Sequence, residues 1–96
     1  MSEGENQESV IFIGRKSTIS YVLVAVTILN KNDTCNIQAR GRQISKAVDV
    51  AEITRRKFLA DQVVVDNVTI SSEELPSDNG EGTKTVSTIE ITLKKK

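Results

Sequence analysis

Histidine and tryptophan are absent from the 96 residues, and cysteine, proline and tyrosine occur once each. Without histidine, no Ser-His or Cys-His pair can activate a nucleophile. With a single cysteine as well, a zinc site would have to be built almost wholly from carboxylates, which suits the metal poorly. Cys35 has no partner for an intrachain disulfide and reads as a small buried apolar residue in a strand. No apolar run approaches the ~20 residues of a membrane span, and residues 1–8 lack the basic and apolar regions of a secretory signal. The expectation is a cytoplasmic protein that binds rather than catalyses, with no cofactor and no membrane partner. Aromatics are equally scarce: Phe12, Tyr21 and Phe58 all lie in apolar patterns. That argues against recognition by base stacking and for reading of a nucleic-acid backbone.

Charge is present in quantity, balanced to zero overall but unevenly placed. Residues 1–14 carry Glu3, Glu5 and Glu8, hence −3. Between Arg15 and Lys57 nine cations face three anions, which leaves +6. From Phe58 onward seven anions outweigh four lysines, giving −3. A basic middle between acidic flanks points to an anionic partner.

The chain is long enough for one domain and one core, and short enough that self-association would add useful apolar contact. Residues 1–8 read as a disordered acidic tail, and residues 9–96 as a single domain. Residues 10–13 are a β-branched run that reads as a buried strand. Ser17 or Thr18 can cap a helix in which Ile19, Val22, Leu23, Val26 and Leu29 fall at helical spacing, with Val24, Ala25 and Ile28 extending burial to more than one face. Residues 34–40 alternate, so Cys35, Ile37 and Ala39 face the core and Arg40 the polar side. A second helix is expected over 44–59, strands over 63–70 and 85–94, and a long flexible hairpin tip over 71–84. The order βαβαββ implies an α+β fold of two layers, with a hairpin arm over about 63–94.

Two constellations stand at equivalent strand-to-helix junctions. Gly14-Arg15-Lys16 precedes the first helix, where amides and adjacent cations can converge on one anion. Arg40-Gly41-Arg42-Gln43-Ile44-Ser45-Lys46 precedes the second. Gly41 permits a sharp bend there. Lys46 opposes the helix dipole, a cost that a bound phosphate would explain. Arg55, Arg56 and Lys57 are ordinary complements to the end of that helix.

Taken together, Ile13-Gly14-Arg15-Lys16 with Tyr21-Val22-Leu23, the stretch from Ala39 to Asp49, and Val86-Ser87-Thr88-Ile89-Glu90-Ile91 resemble the Alba family of small archaeal chromatin proteins. The similarity spans about residues 9–94. It implies an initiation-factor-3 C-terminal-like fold, a homodimer, chromosome association, and nonspecific binding of double-stranded DNA, often with RNA binding. By matching position, Arg15, Lys16, Arg40, Gly41 and Arg42 would form the phosphate-binding surface, with Lys46 beside them. Lys84 is the cation of the hairpin arm, and Phe58 matches a position where dimers pack against dimers along DNA. If five cations per protomer met phosphate, the dimer's log–log salt slope would be roughly −9.

Three departures bear on this. The first loop has Arg15, Lys16 and Ser17 where the family has two lysines and proline, so acetylation at the first position is precluded. The tip carries Glu73, Glu74, Asp78 and Glu81 against Lys84, which a minor groove should repel. The neutral net charge is low for an abundant DNA coat. Two other readings therefore stand beside duplex binding. One is an RNA-binding protein related to small ribonuclease P subunits; the other is a protein-interaction module with the acidic hairpin as its docking arm.

Overall fold

A computed structural model describes residues 9–96. The segment 1–8, expected to be a disordered tail, lies outside the described residues. The elements are β1 (Val10–Phe12), α1 (Thr18–Lys31), β2 (Thr34–Arg40), α2 (Ile44–Ile53), β3 (Val63–Pro76) and β4 (Thr83–Lys95), in the expected βαβαββ order. They form one four-stranded sheet in the order β1-β2-β4-β3. β1 runs parallel to β2, and the other two pairings are antiparallel.

The Oγ of Ser17 accepts from the amide of Ser20 at 3.3 Å and caps α1. Asn32 closes the helix, its amide and its Nδ2 both donating to the carbonyl of Ile28. Val22, Ala25, Ile28 and Leu29 face the sheet. Leu23 and Val24 are exposed, so α1 is not buried on more than one face. The sheet and α2 cover one side of it, and among the described residues nothing covers the side that carries Leu23 and Val24.

β2 alternates as its sequence requires, with Cys35, Ile37 and Ala39 buried beneath the helices. Ile91 and Leu93 of β4 lie opposite Ile37 and Cys35. Full burial of side chains such as Leu29, Ile37 and Leu93 contributes about 1.5–3 kcal/mol each. Burial also pushes the Cys35 thiol up to about 12. Among the described residues the far face of the sheet carries no helix, and it holds Phe12, Asn36, Gln38, Glu90 and Thr92. Phe12 is consequently 72% exposed, against the expectation that residues 10–13 are buried throughout.

The second helix covers nearly the expected span, but only Ile44–Ile53 of it is α-helical. It passes at Thr54 into a π-helical turn, Thr54–Phe58, in which the amide of Leu59 donates to the carbonyl of Thr54 at 2.9 Å. The five-residue spacing turns both Thr54 and Leu59 inward and leaves Phe58 half exposed.

The hairpin differs most from its expected form. Residues 71–76 are paired strand, not flexible tip: the ladder runs from Val63 opposite Lys95 to Pro76 opposite Thr83. A tight turn closes it, with the amides of Gly80 and Ser77 bound to Ser77 and Gly82. Between Val65 and Asn67 the register slips by one residue at Asp66. A slip of one exchanges the faces of every residue beyond it. Val68 and Ile70 are thereby brought to the same side as Val63 and Val65, opposite Ile91 and Ile89. β3 is an edge strand, where Pro76 at its end removes no ladder bond to β4 that the sheet needs.

Candidate nucleic-acid interface

The two basic junctions meet at one corner of the molecule, and a single pair of side chains joins them. Tyr21 is buried in α1, and its hydroxyl must find partners there. It accepts from the amide of Gly14 at 2.8 Å and from that of Lys16 at 3.3 Å, which folds the first loop back over the helix. From the first turn of α2, the Nζ of Lys46 donates to the carbonyls of Gly14 at 2.9 Å and Lys16 at 2.8 Å. The same ammonium lies 5.9 Å from the centre of the Tyr21 ring, within cation–π range. The loop before α1 is thus bound to the start of α2.

Two glycines permit this geometry. A Cβ on Gly14 would stand 3.3 Å from the Tyr21 hydroxyl, crowding the contact that shapes the loop. Gly41 has φ +58°, and it starts a single 3-10 turn, Gly41–Gln43, that feeds directly into α2. Only glycine adopts that conformation without steric cost.

Arg15, Lys16, Arg40 and Arg42 all project to solvent from this corner. Arg40 is also held by the arm: its Nη1 lies 3.4 Å from Glu73 Oε1, both side chains being about half exposed at 59% and 49%. Lys46, expected beside the phosphate contacts, also has a structural part. Its ammonium is already engaged by two backbone carbonyls, so it fixes the positions of its neighbours. The sequence marks Tyr21 only as an apolar-pattern residue of the first motif, although a hydroxyl in a buried helical stripe is a sign that something polar must converge on it.

Two of the expected residues stand apart from the corner. Lys84 lies near the end of the arm, opposite Leu75, with its Nζ 3.8 Å from Asp78 Oδ2. Phe58 lies past the far end of α2 in the π-helical turn. Beside it Arg55 grips Glu52 through two nitrogens, at 2.6 and 3.0 Å, and Arg56 adds a longer contact. That hydrogen bond, helped by the two guanidinium charges, lowers the Glu52 carboxyl below its usual value. Much of the charge in this segment is satisfied internally.

The Alba family model matches residues 9–72. The chain belongs to the Alba family. DNA/RNA-binding protein Alba of Picrophilus torridus is 49% identical over 89 residues, covering 91% of this chain and 96% of that protein. DNA/RNA-binding protein Alba of Methanocella arvoryzae is 50% identical over 90 residues, covering 93% and 92%. The solved structure of Alba from Thermoplasma volcanium superposes with a TM-score of 0.80 at 46% identity, over 88% of this chain and 98% of that one. The α+β architecture is therefore the Alba architecture. The span matched by the family model contains both basic loops, Tyr21, Lys46 and Gly41, and it ends inside β3. The acidic end of the arm, with Asp78, Glu81 and Lys84, lies beyond it.

Proposed function

We propose that the chain acts as a dimer that binds double-stranded DNA without sequence preference, as an architectural protein of the chromosome, and that it also binds RNA. The observation that carries this reading is the tie made by Lys46 and Tyr21 across both basic loops. It presents Arg15, Lys16, Arg40 and Arg42 as one cationic surface fixed in shape. Guanidinium and ammonium groups on loops bind phosphate oxygens, which position a protein on a duplex but carry no sequence information. The names of the relatives from P. torridus and M. arvoryzae, which specify DNA and RNA, support the same ligand class.

The dimer is supported by apolar side chains that the single chain leaves uncovered. Val65, Val68 and Ile70 lie on the helix side of β3, and neither helix reaches over them; Ile70 is 76% exposed. Ile70 shares a surface depression with Ile44 of α2, and Val48 is also exposed on that helix. Apolar surface of this kind marks an interaction site, and a two-fold axis would bury it against itself. Phe58 stays in reach for contacts between dimers.

The test is a titration of duplex DNA over a range of salt concentrations, with sedimentation to fix the protein's mass. Four cations per protomer engage eight phosphates on the dimer, so the log–log slope should be roughly −7. Competition between duplex DNA and structured RNA ranks the two ligands. Absence of binding at low salt, or binding indifferent to salt, overturns the proposal.

A further inference from the structure

The helix-free face of the sheet is polar across its middle, with Val10, Val64 and Val86 toward its margins. A row of side chains crosses it from edge to edge in register: Phe12, Gln38, Glu90 and Thr69. The next row begins at Arg40 and continues through Thr88 and Ser71. Gln38 is anchored within the face, its Nε2 donating to Asn36 Oδ1 at 2.6 Å and to Glu90 Oε2 at 3.1 Å. Among these polar groups the Phe12 ring is 72% exposed. It stands at one rim of an open depression of about 440 Å³ whose lining includes Gln38, Arg40, Thr69 and Glu90.

We infer that this depression receives one unpaired nucleobase of a single strand, stacked on Phe12, while the strand's phosphates run on to the basic corner. The inference rests on the proposed reading of that corner. Arg40 joins the two, since it belongs to the second basic loop and also lines the depression. The carboxylate of Glu90 keeps phosphate out of the row and accepts from an exocyclic amino group on a base edge. An aromatic ring with anchored amide and carboxylate neighbours is how single strands are held on a sheet: the face of the base packs on the ring and its edge meets polar groups. A duplex cannot use the site, because pairing and stacking hide the faces of its bases. The lining sets Ile13, Ala39 and Ile89 beside the polar groups, which suits a base with its apolar face and polar edge.

The absence of tryptophan from the sequence makes the test direct, because Phe12→Trp installs a single indole at the site. The full chain is titrated with a short oligoadenylate, with its deoxy counterpart and with duplex DNA. Phe12→Ala should weaken single-strand binding by about 5-fold or more and leave duplex binding unchanged. Phe12→Trp should restore it, with indole fluorescence quenched by single strands and not by duplex. The strand that quenches at the lower concentration identifies the sugar. The inference falls if Phe12→Ala binds single strands as the wild type does, or loses duplex and single strand by the same factor. It also falls if sedimentation shows that the substitution dissociates a dimer, which would assign the ring to a subunit contact. Loss of the proposed function reads differently, as failure of the unaltered chain to bind duplex DNA at all.

Discussion

The basic corner and the acidic arm are both built from exposed charged side chains, yet they are held in different ways. At the corner the backbone of the first loop is fixed from below by a tyrosine hydroxyl and by the ammonium of Lys46, which joins it to the start of α2. Along the arm the shape is set by the β3–β4 ladder alone, and its charges engage neighbours: Glu73 with Arg40, Asp78 with Lys84. The corner offers an excess of positive charge in a fixed arrangement, with only Arg40 among its four exposed cations paired to the arm, whereas much of the arm's charge is internally compensated. A net charge of zero conceals this distinction, because what a partner meets is the local field, which falls away within about 10 Å at ordinary salt.

Removing the corner's charge should have the largest effect. Arg40→Ala combined with Arg42→Ala should lower duplex affinity by about 100-fold or more at low salt, each lost charge-assisted bond contributing roughly 1.5–3 kcal/mol. The salt slope should become shallower by about 4, because two phosphate contacts disappear from each protomer. A fluorescence-anisotropy series over salt concentration measures both.

Lys46→Met tests whether shape matters apart from charge. It releases the first loop, so affinity should fall by about 10-fold, as expected for misplaced contacts worth ~1.4 kcal/mol. The salt slope should stay unchanged, since the ammonium faces carbonyls in the protein. A slope shallower by about 2 would instead place Lys46 on phosphate. The smallest effect is expected from Glu73→Gln, which frees Arg40 from the arm. An exposed pair of this kind is worth roughly 0.2–1 kcal/mol, so duplex affinity should rise by about 1.5- to 5-fold. A fall would show that the arm's carboxylate positions the arginine rather than competing for it.

Much of the fold was legible because the helix side of the sheet imposes periodicity. The alternation in 34–40 and the 3–4 residue spacing in 18–31 both record one buried face. The resemblance of the two loops located the corner. What was hidden depends on contacts distant in sequence. Residues 71–76 have the polar composition of a loop and become strand only because residues 83–88 supply a partner. The run 10–13 looks buried throughout, and only the bare far face of the sheet explains why Phe12 is not. The role of Lys46 depends on carbonyls about 30 residues away, which no local pattern in α2 can reveal. Tyr21 and Lys46 make a site together, and neither signals it alone.

β3 presents one further consequence. It is 14 residues long and lies at the margin of the sheet, so its outer backbone groups could template indefinite strand addition, the route by which such margins nucleate fibres. Asp66 interrupts the repeat that a regular incoming strand would need to match, and Pro76 lacks an amide to offer it. Under the proposed function many copies would gather along one polymer, and they would have to concentrate without solidifying. Those two residues let neighbouring chains meet through side chains while denying them a continuous backbone seam.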